Sequence, residues 1–177
     1  LRTVTGVQTW RSSDLPVYAL SGLVLWNFFA QTTTGAMSEL LWSGSLMNRI
    51  YMPRAIFAAG ALGTGLVNLL LALVPLLLLM VVTGVRVRPA LLFLPVPILL
   101  TALFALGVAL FLSTLAVYFS DVVEMYQIVL TAWLYLTPII YTKENIPPAY
   151  QWFFNLNPLY HLLELLRAPL HAGVLAG

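Results

Sequence analysis

Long stretches of hydrophobic residues without charge alternate with short polar segments along the 177 residues of the chain. The two longest stretches are residues 55–85 and 90–118. The hydrocarbon core of a bilayer is about 30 Å thick, and about 20 helical residues cross it at 1.5 Å each. Both stretches therefore predict membrane-spanning helices.

Two further stretches are less uniform but still free of charge. Residues 15–37 contain a polar run at 31–34, and residues 125–141 are short and contain Pro138. Together with the longer pair they predict an all-α integral membrane fold. The four predicted spans cover about 15–37, 55–85, 90–118 and 125–141.

The pattern changes after Tyr141, where charges and prolines interrupt every apolar run. Residues 146–172 predict a short interfacial or re-entrant helical hairpin in place of another span. Its second half is amphipathic, because leucines recur on one helical face and the other face holds His161, Glu164, Arg167 or Ala168, and His171. Glu164 and Arg167, three residues apart, are expected to form an intrahelical pair rather than to bind substrate. Aromatic residues just ahead of that half, including Trp152, suit the membrane interface.

Two positions carry the signature of a helix start. Asp121 followed by Glu124 has the spacing of an N-cap with a reciprocal carboxylate, which predicts a turn and a helix restart. Asn157 is a good N-cap residue and Pro158 suits the first helical position. The second short helix of the hairpin is therefore predicted to begin there.

Small residues recur at every fourth position on two of the spans. Such stripes let helices approach closely in a membrane, so they predict helix-to-helix seams; chance in a sequence rich in alanine, glycine and leucine is the alternative. The stripes are Ala55, Ala59 and Gly63, with Ala61 and Gly65 beside them, and Thr101, Ala105, Ala109 and Ser113.

Composition agrees with a lipid environment. Hydrophobic residues make up 61% of the chain and charged residues 8%, whereas soluble domains carry about 25% charge. The net charge of +2 comes without any basic run, so no nucleic-acid partner is expected. A water-soluble surface cannot be built from this composition.

The residues offer little for chemistry within the chain. No P-loop motif is present and the only lysine is Lys143, so ATP hydrolysis is not expected here. Cysteine is absent and histidine occurs twice, which disfavours a metal site or cofactor. Ion-coupled transporters and intramembrane enzymes usually carry charged groups inside their spans, and these spans carry none. A passive or externally driven conduit is favoured, without enzymatic activity.

Four segments together resemble the permease subunit of bacterial type-two ABC exporters, in the branch that exports polysaccharide, O-antigen or teichoic acid. They read LPVYALSGLVLWNFFAQ, SGSLMNRIYMPR, YFSDVVEMYQIVLTAWLYLTPIIYT and IPPAYQWFFNLNPLYHLLELLRAPLHAG. The resemblance implies a six-span subunit of which this chain holds four spans, so we expect a fragment. It further implies a homodimer in the bacterial inner membrane, with two separate ABC ATPases that bind ATP and Mg.

By this resemblance, residues 43–54 form a short cytoplasmic coupling helix that contacts the ATPase. Arg49 and Arg54 suit that role because they can pair with carboxylates, and Pro53 ends the turn before the next span. Basic residues that merely anchor the end of a span are the alternative. The implied coupling residues are Asn48, Arg49, Tyr51, Met52, Pro53 and Arg54.

The same resemblance makes the 146–172 hairpin an external gate beside the pore exit. Aromatic rings can stack on the apolar faces of sugars, which makes several aromatic residues candidates for a substrate path or gate. Packing in the core or against lipid is the alternative for each. The candidates are Trp133, Tyr135, Tyr141, Trp152 and Tyr160.

Orientation and substrate stay open at the level of sequence. The implied topology leaves two basic residues in inside loops against six outside, whereas cytoplasmic loops usually carry the excess. A lipid-linked polysaccharide is the expected substrate. A related permease for drugs or other amphiphiles is one alternative, and a non-transporting membrane scaffold is another.

Overall fold

The computed structural model describes residues 14–42, 55–82, 93–119, 121–137, 139 and 156–171. Within these ranges the chain forms helices and no strand, which confirms the all-α class. The five α-helices are α1 (Asp14–Trp42), α2 (Ala55–Val82), α3 (Pro95–Tyr118), α4 (Val122–Leu136) and α5 (Pro158–His171).

Two of these helices are long and apolar enough to cross a membrane. They are α2, with 28 residues, and α3, with 24 residues. The helix α2 continues through Pro75 without ending. The apolar helix α4 has 15 residues, or about 22 Å, and α1 has 29 residues but a more polar sequence.

The ends of α1, α3 and α4 differ from those of the predicted spans. α1 continues past residue 37 and includes Glu39. α3 begins at Pro95, with both prolines in its first turn, where their missing N–H groups cost nothing. α4 ends at Leu136 because Thr137 is extended, with ψ of 122°, as the residue before a proline prefers.

The two predicted helix starts have different outcomes. The Leu159 N–H donates to Asn157 Oδ1 at 3.1 Å, and α5 begins at Pro158 as predicted. α4 also begins next to Asp121, but Asp121 has helical φ and ψ of −74° and −12° and makes no side-chain capping bond. The predicted capping box at Asp121 is therefore wrong, because a residue in the helical conformation does not aim its carboxylate at the first N–H groups.

α1 lies at the centre of the bundle and contacts all four other helices. Phe29 in its middle is fully buried, and its ring stacks on that of Phe104 at 5.6 Å between centroids. A single cluster of buried apolar side chains joins α1 to α3, α4 and α5. The position of α1 therefore determines how the remaining helices pack.

The small-residue stripe of α3 forms the predicted seam, since Thr101, Ala105, Ala109 and Ser113 are all buried. On α2 the packed face is adjacent to the predicted stripe rather than on it. Ala58, Ala61 and Gly65 are buried against α1, whereas Ala55, Ala59 and Gly63 are exposed. An ideal Cβ at Gly65 would collide with Thr32 Oγ1 and lie 3.3 Å from the Phe28 ring.

Most threonines inside the helices satisfy their hydroxyl groups locally. Thr101 Oγ1 donates to the Pro97 carbonyl at 2.7 Å, and Thr33 Oγ1 donates to the Phe29 carbonyl at 2.9 Å. The Tyr126 hydroxyl of α4 then donates to Thr33 Oγ1 at 2.9 Å in a buried contact with α1. Hydroxyl groups can thus remain inside a hydrophobic bundle because a carbonyl one turn back accepts each proton.

The close approach at Gly65 is testable. Gly65→Ala places a methyl group against Thr32 and Phe28, and overpacking of this kind costs about 1–3 kcal/mol of unfolding free energy. Thermal unfolding of the full-length protein in detergent should show a lower Tm. Gly63→Ala and Gly107→Ala are matched controls, because nothing lies within 4 Å of a Cβ at either position. Equal Tm values for all three variants would contradict the seam.

Candidate functional site

The short helix α5 packs on the bundle through one face. Leu159, Leu163 and Leu166 are buried in the main apolar cluster, while His161 and Glu164 are exposed. This agrees with the predicted amphipathic pattern. Arg167 is the exception, because it turns inward and is only 5% exposed.

Arg167 joins α5 to two other parts of the chain. Its Nη2 group donates to the Tyr18 carbonyl of α1 at 3.1 Å and to the Ile139 carbonyl, beyond α4, at 2.8 Å. The guanidinium carbon lies 3.5 Å from the centroid of the Tyr18 ring. A planar cation that bonds carbonyls and covers an aromatic face is chemistry that lysine does not reproduce.

A glycine makes room for this cation. An ideal Cβ at Gly22, one turn after Tyr18 on α1, would lie 2.6 Å from Arg167 Nη2 and 2.8 Å from Ile139 Cγ2. Real Cβ atoms do not approach other groups so closely. The absence of a side chain at Gly22 is therefore what lets α1, Ile139 and Arg167 meet.

Burial shifts the pKa values of two ionisable side chains of α5, Arg167 and Tyr160. Burial lowers the pKa of Arg167 to about 10, an effect that Tyr18, Tyr160 and Glu164 oppose. The guanidinium therefore stays charged at neutral pH. Burial also raises the pKa of Tyr160, whose hydroxyl hydrogen-bonds to Glu164, so this tyrosine remains neutral.

Asn157 joins the start of α5 to the end of α4. Its Oδ1 accepts from Trp133 Nε1 at 3.1 Å as well as from the Leu159 N–H at 3.1 Å. Its Nδ2 donates to Thr137 Oγ1 at 3.0 Å. The cap residue predicted from sequence thus also holds α4, beside a surface hollow lined by Trp133, Leu136, Leu156, Asn157 and Pro158.

The predicted path and gate residues lie in different environments. Trp133 is half-buried, and its ring meets Phe29 edge-on at 5.5 Å between centroids. Tyr160 is buried, whereas Tyr135 is 71% exposed on α4. These contacts give Trp133 and Tyr160 packing roles. A path through any of the three stays a prediction.

The remaining predicted residues lie outside the described part of the chain. They are Tyr141 and Trp152 among the path and gate candidates, and the coupling residues Asn48, Arg49, Tyr51, Met52, Pro53 and Arg54.

Sequence reasoning missed the role of Arg167 and of Tyr18. Helical periodicity alone places Arg167 with Glu164 on the polar face, where an intrahelical ion pair is the simplest expectation. In the structure Glu164 bonds to Tyr160, and Arg167 donates to carbonyls of other segments. No local signal could show this, because the partner on α1 lies 149 residues away.

Comparison with known families identifies the class of protein. The family model for ABC-2 type transporters matches residues 3–170. The chain belongs to this family, and it is a membrane protein. This finding confirms the resemblance indicated by the four sequence motifs.

Three curated relatives carry a more specific name. Two proteins of Klebsiella pneumoniae, both named O-antigen export system permease protein RfbA, are 24% and 23% identical over 162 and 150 residues. A protein of the same name from Myxococcus xanthus is 25% identical over 157 residues. These alignments cover 90%, 83% and 88% of this chain, but only 62%, 57% and 60% of the relatives. The chain thus spans about three fifths of the length of these relatives.

We expect Arg167→Ala to loosen α5. It removes two hydrogen bonds and the ring contact and leaves the Tyr18 and Ile139 carbonyls without this donor, which should lower the unfolding free energy by about 2–4 kcal/mol. Arg167→Lys should restore only part of the loss. Chemical unfolding of the full-length protein in detergent measures both variants. Leu165→Ala, at an exposed position of the same helix, is the control; a loss no larger than its own would contradict the role of Arg167.

Asn157 should couple to Trp133 in a double-mutant cycle. Asn157→Ala removes the cap and the bond to Trp133, for a loss of about 1–3 kcal/mol in unfolding free energy. Trp133→Phe should cost less in the Asn157→Ala background than in the wild type, because the acceptor is already gone. Asn157→Asp retains an acceptor oxygen and should be milder. Strictly additive losses would show that the two side chains act independently.

Proposed function

We propose that the full-length protein is the membrane-spanning permease of an ATP-driven exporter of lipid-linked polysaccharide. The observation that carries this proposal is the similarity, over most of the chain, to permeases named for O-antigen export. The described residues add a helical bundle in which α2 and α3 are long and apolar enough to cross a bilayer.

In this proposal the chain contributes four spans of six, formed by α1 to α4. α1 exceeds the length needed to cross the hydrocarbon core, with 29 residues. α4 is short, and crosses only if the segment after Thr137 extends it or the protein thins the local bilayer. The protein lies in the bacterial inner membrane as a homodimer.

Energy comes from two separate ABC ATPases, which hold ATP and Mg. The segment 43–54 docks on them from the cytoplasmic side, with Arg49 and Arg54 against carboxylates. ATP-driven closure of the ATPases then moves this segment and, through it, the ends of α1 and α2. No catalytic group is required of this chain.

The segment 146–172 serves as the external gate, and α5 is its described part. Two contact sets support such a role. Asn157 links the start of α5 to α4, and Arg167 links its last turns to α1 and Ile139. A helix held by two different elements responds when these elements move apart.

Complementation of a deletion strain tests both the substrate and the coupling segment. Loss of the gene should remove the surface glycan and cause lipid-linked precursor to accumulate, and the wild-type gene should restore export. Arg49→Glu with Arg54→Glu should reduce export and ATPase co-purification about tenfold or more, because reversed charges repel an acidic partner. Surface glycan and retained ATPase are the measurements.

The double variant Arg86→Glu with Arg88→Glu is the matched control, because it reverses the same number of charges in the connection at the other end of α2. It should complement fully. If the control fails and the first variant complements, the orientation is reversed. An unchanged surface glycan in the deletion strain, with failed export of another amphiphile, would favour the related permease. Unchanged export of every substrate, with no ATPase retained, would favour a scaffold.

A further inference from the structure

The outward surface of α2 changes character at the middle of the helix. Beyond Asn68, the exposed positions are bulky aliphatic residues and Pro75, which is the surface that lipid tails favour. Up to Asn68, apart from Ile56 and Val67, the exposed positions are small or polar. These are Ala55, Ala59, Gly60, Gly63, Thr64 and Asn68.

α1 carries exposed polar residues, of which Gln31 and Glu39 lie next to this half of α2. Asn27, Gln31 and Glu39 are exposed, and their spacing places them within about 120° of the helix surface. Thr34 lies half-buried beside them. We call the combined surface the polar track; it consists of Asn27, Gln31, Thr34, Glu39, Thr64 and Asn68.

α1 and α2 approach each other at two points beside the polar track. Asn68 Nδ2 donates to Gln31 Oε1 at 3.2 Å. Further toward the 43–54 connection, an ideal Cβ at Gly60 would lie 3.5 Å from Glu39 Oε2. The track therefore runs from the end of α1 nearest that connection toward Asn27, over about 18 Å of helix.

The polar track has more hydrogen-bonding capacity than its own contacts use. Each amide offers two donors and an acceptor oxygen, and the Asn68–Gln31 bond uses one donor and one acceptor. Within the described residues, Asn27 makes no side-chain hydrogen bond. Asn68 lies at the middle of the 28-residue α2, where an unsatisfied amide facing lipid is costly. A further hydrogen-bonding partner is therefore expected at this surface, and water or a polar ligand can supply it.

We propose that the polar track lines a water-filled passage and binds the hydroxyl groups of a saccharide chain entering from the 43–54 side. This inference rests on the proposed function. The amides of Asn27, Gln31 and Asn68 can both donate and accept, as sugar hydroxyls do. The Thr34 and Thr64 hydroxyls donate to backbone carbonyls and can still accept. The track has no cation, and its one charged group is the Glu39 carboxylate. It therefore suits an uncharged, hydroxyl-rich stretch rather than a phosphate, which Glu39 repels.

Single-cysteine labelling tests whether the track is wet. The 177 residues contain no cysteine, so an introduced thiol gives the only signal from this region. Asn27→Cys, Thr64→Cys and Asn68→Cys are placed in the full-length permease with its ATPase in native membranes. A charged, membrane-impermeant methanethiosulfonate should label them about tenfold or more faster than Leu71→Cys, Val74→Cys and Leu78→Cys, because the thiolate forms in water and not in lipid.

Three other labelling results would overturn the proposal. Rates equal to the controls would mean that the track faces lipid. Protection from the reagent together with oxidative cross-linking between two copies would make the track a dimer seam. Protection without cross-linking would mean that another helix covers it. Each result holds whether or not the protein exports glycan, so the labelling does not depend on the proposed function.

An export assay tests whether the polar track binds saccharide or is merely hydrated. Gln31→Leu with Asn68→Leu should reduce surface glycan about tenfold while protein level and ATPase co-purification stay unchanged. Leu71→Ala, exposed on the same helix, should leave export unchanged. Normal export by the double leucine variant would overturn saccharide binding at the track. Normal surface glycan in the deletion strain would instead contradict the proposed function, even if the labelling shows that water reaches the track.

Discussion

The structure depends on how closely other segments can approach α1. Helices gain no hydrophobic free energy by associating within lipid, so their contacts rely on packing at short range. Close approach to α1 is possible where the neighbouring helices carry little or no side chain, at Gly65 on α2 and at Ala105 and Ala109 on α3. Gly22 does the same on α1 itself, where it admits Arg167. With α1 in contact with every other helix of the described residues, these small residues set the geometry of their bundle.

The helix α5 depends on this geometry at both ends. Asn157 bonds to side chains of α4 and of Thr137 just beyond it, and Arg167 bonds to backbone carbonyls of α1 and Ile139. A displacement of α1 from α4 must therefore break one set of contacts or carry α5 along. The position of the short helix α5 therefore depends on the relative position of α1 and α4.

Polar groups divide into two kinds within this hydrophobic chain. Most of those that face inward are satisfied nearby: Thr33 and Thr101 by a carbonyl one turn back, Tyr126 by Thr33, and Arg167 by two carbonyls. Among the described residues, the buried hydroxyls of Thr32 and Ser113 are exceptions. The amides of the polar track face outward and retain unused donors and acceptors. Because a bilayer core offers no hydrogen bonds, inward polarity serves packing, whereas outward polarity requires a hydrogen-bonding partner from outside these helices.

The sequence by itself determined the features that depend on local chemistry. Charge-free length and composition predicted the helical membrane class, and Asn157 before Pro158 predicted the start of α5, because a cap acts within one helical turn. Tertiary structure decided the rest. Small residues on α2 form two neighbouring stripes, one with Gly63 and one with Gly65. The stripe with Gly65 is the one that packs on α1, beside Thr32 and Phe28. The burial of Arg167 required Tyr18 and Gly22, which lie far away in the chain and come close only when the helices pack.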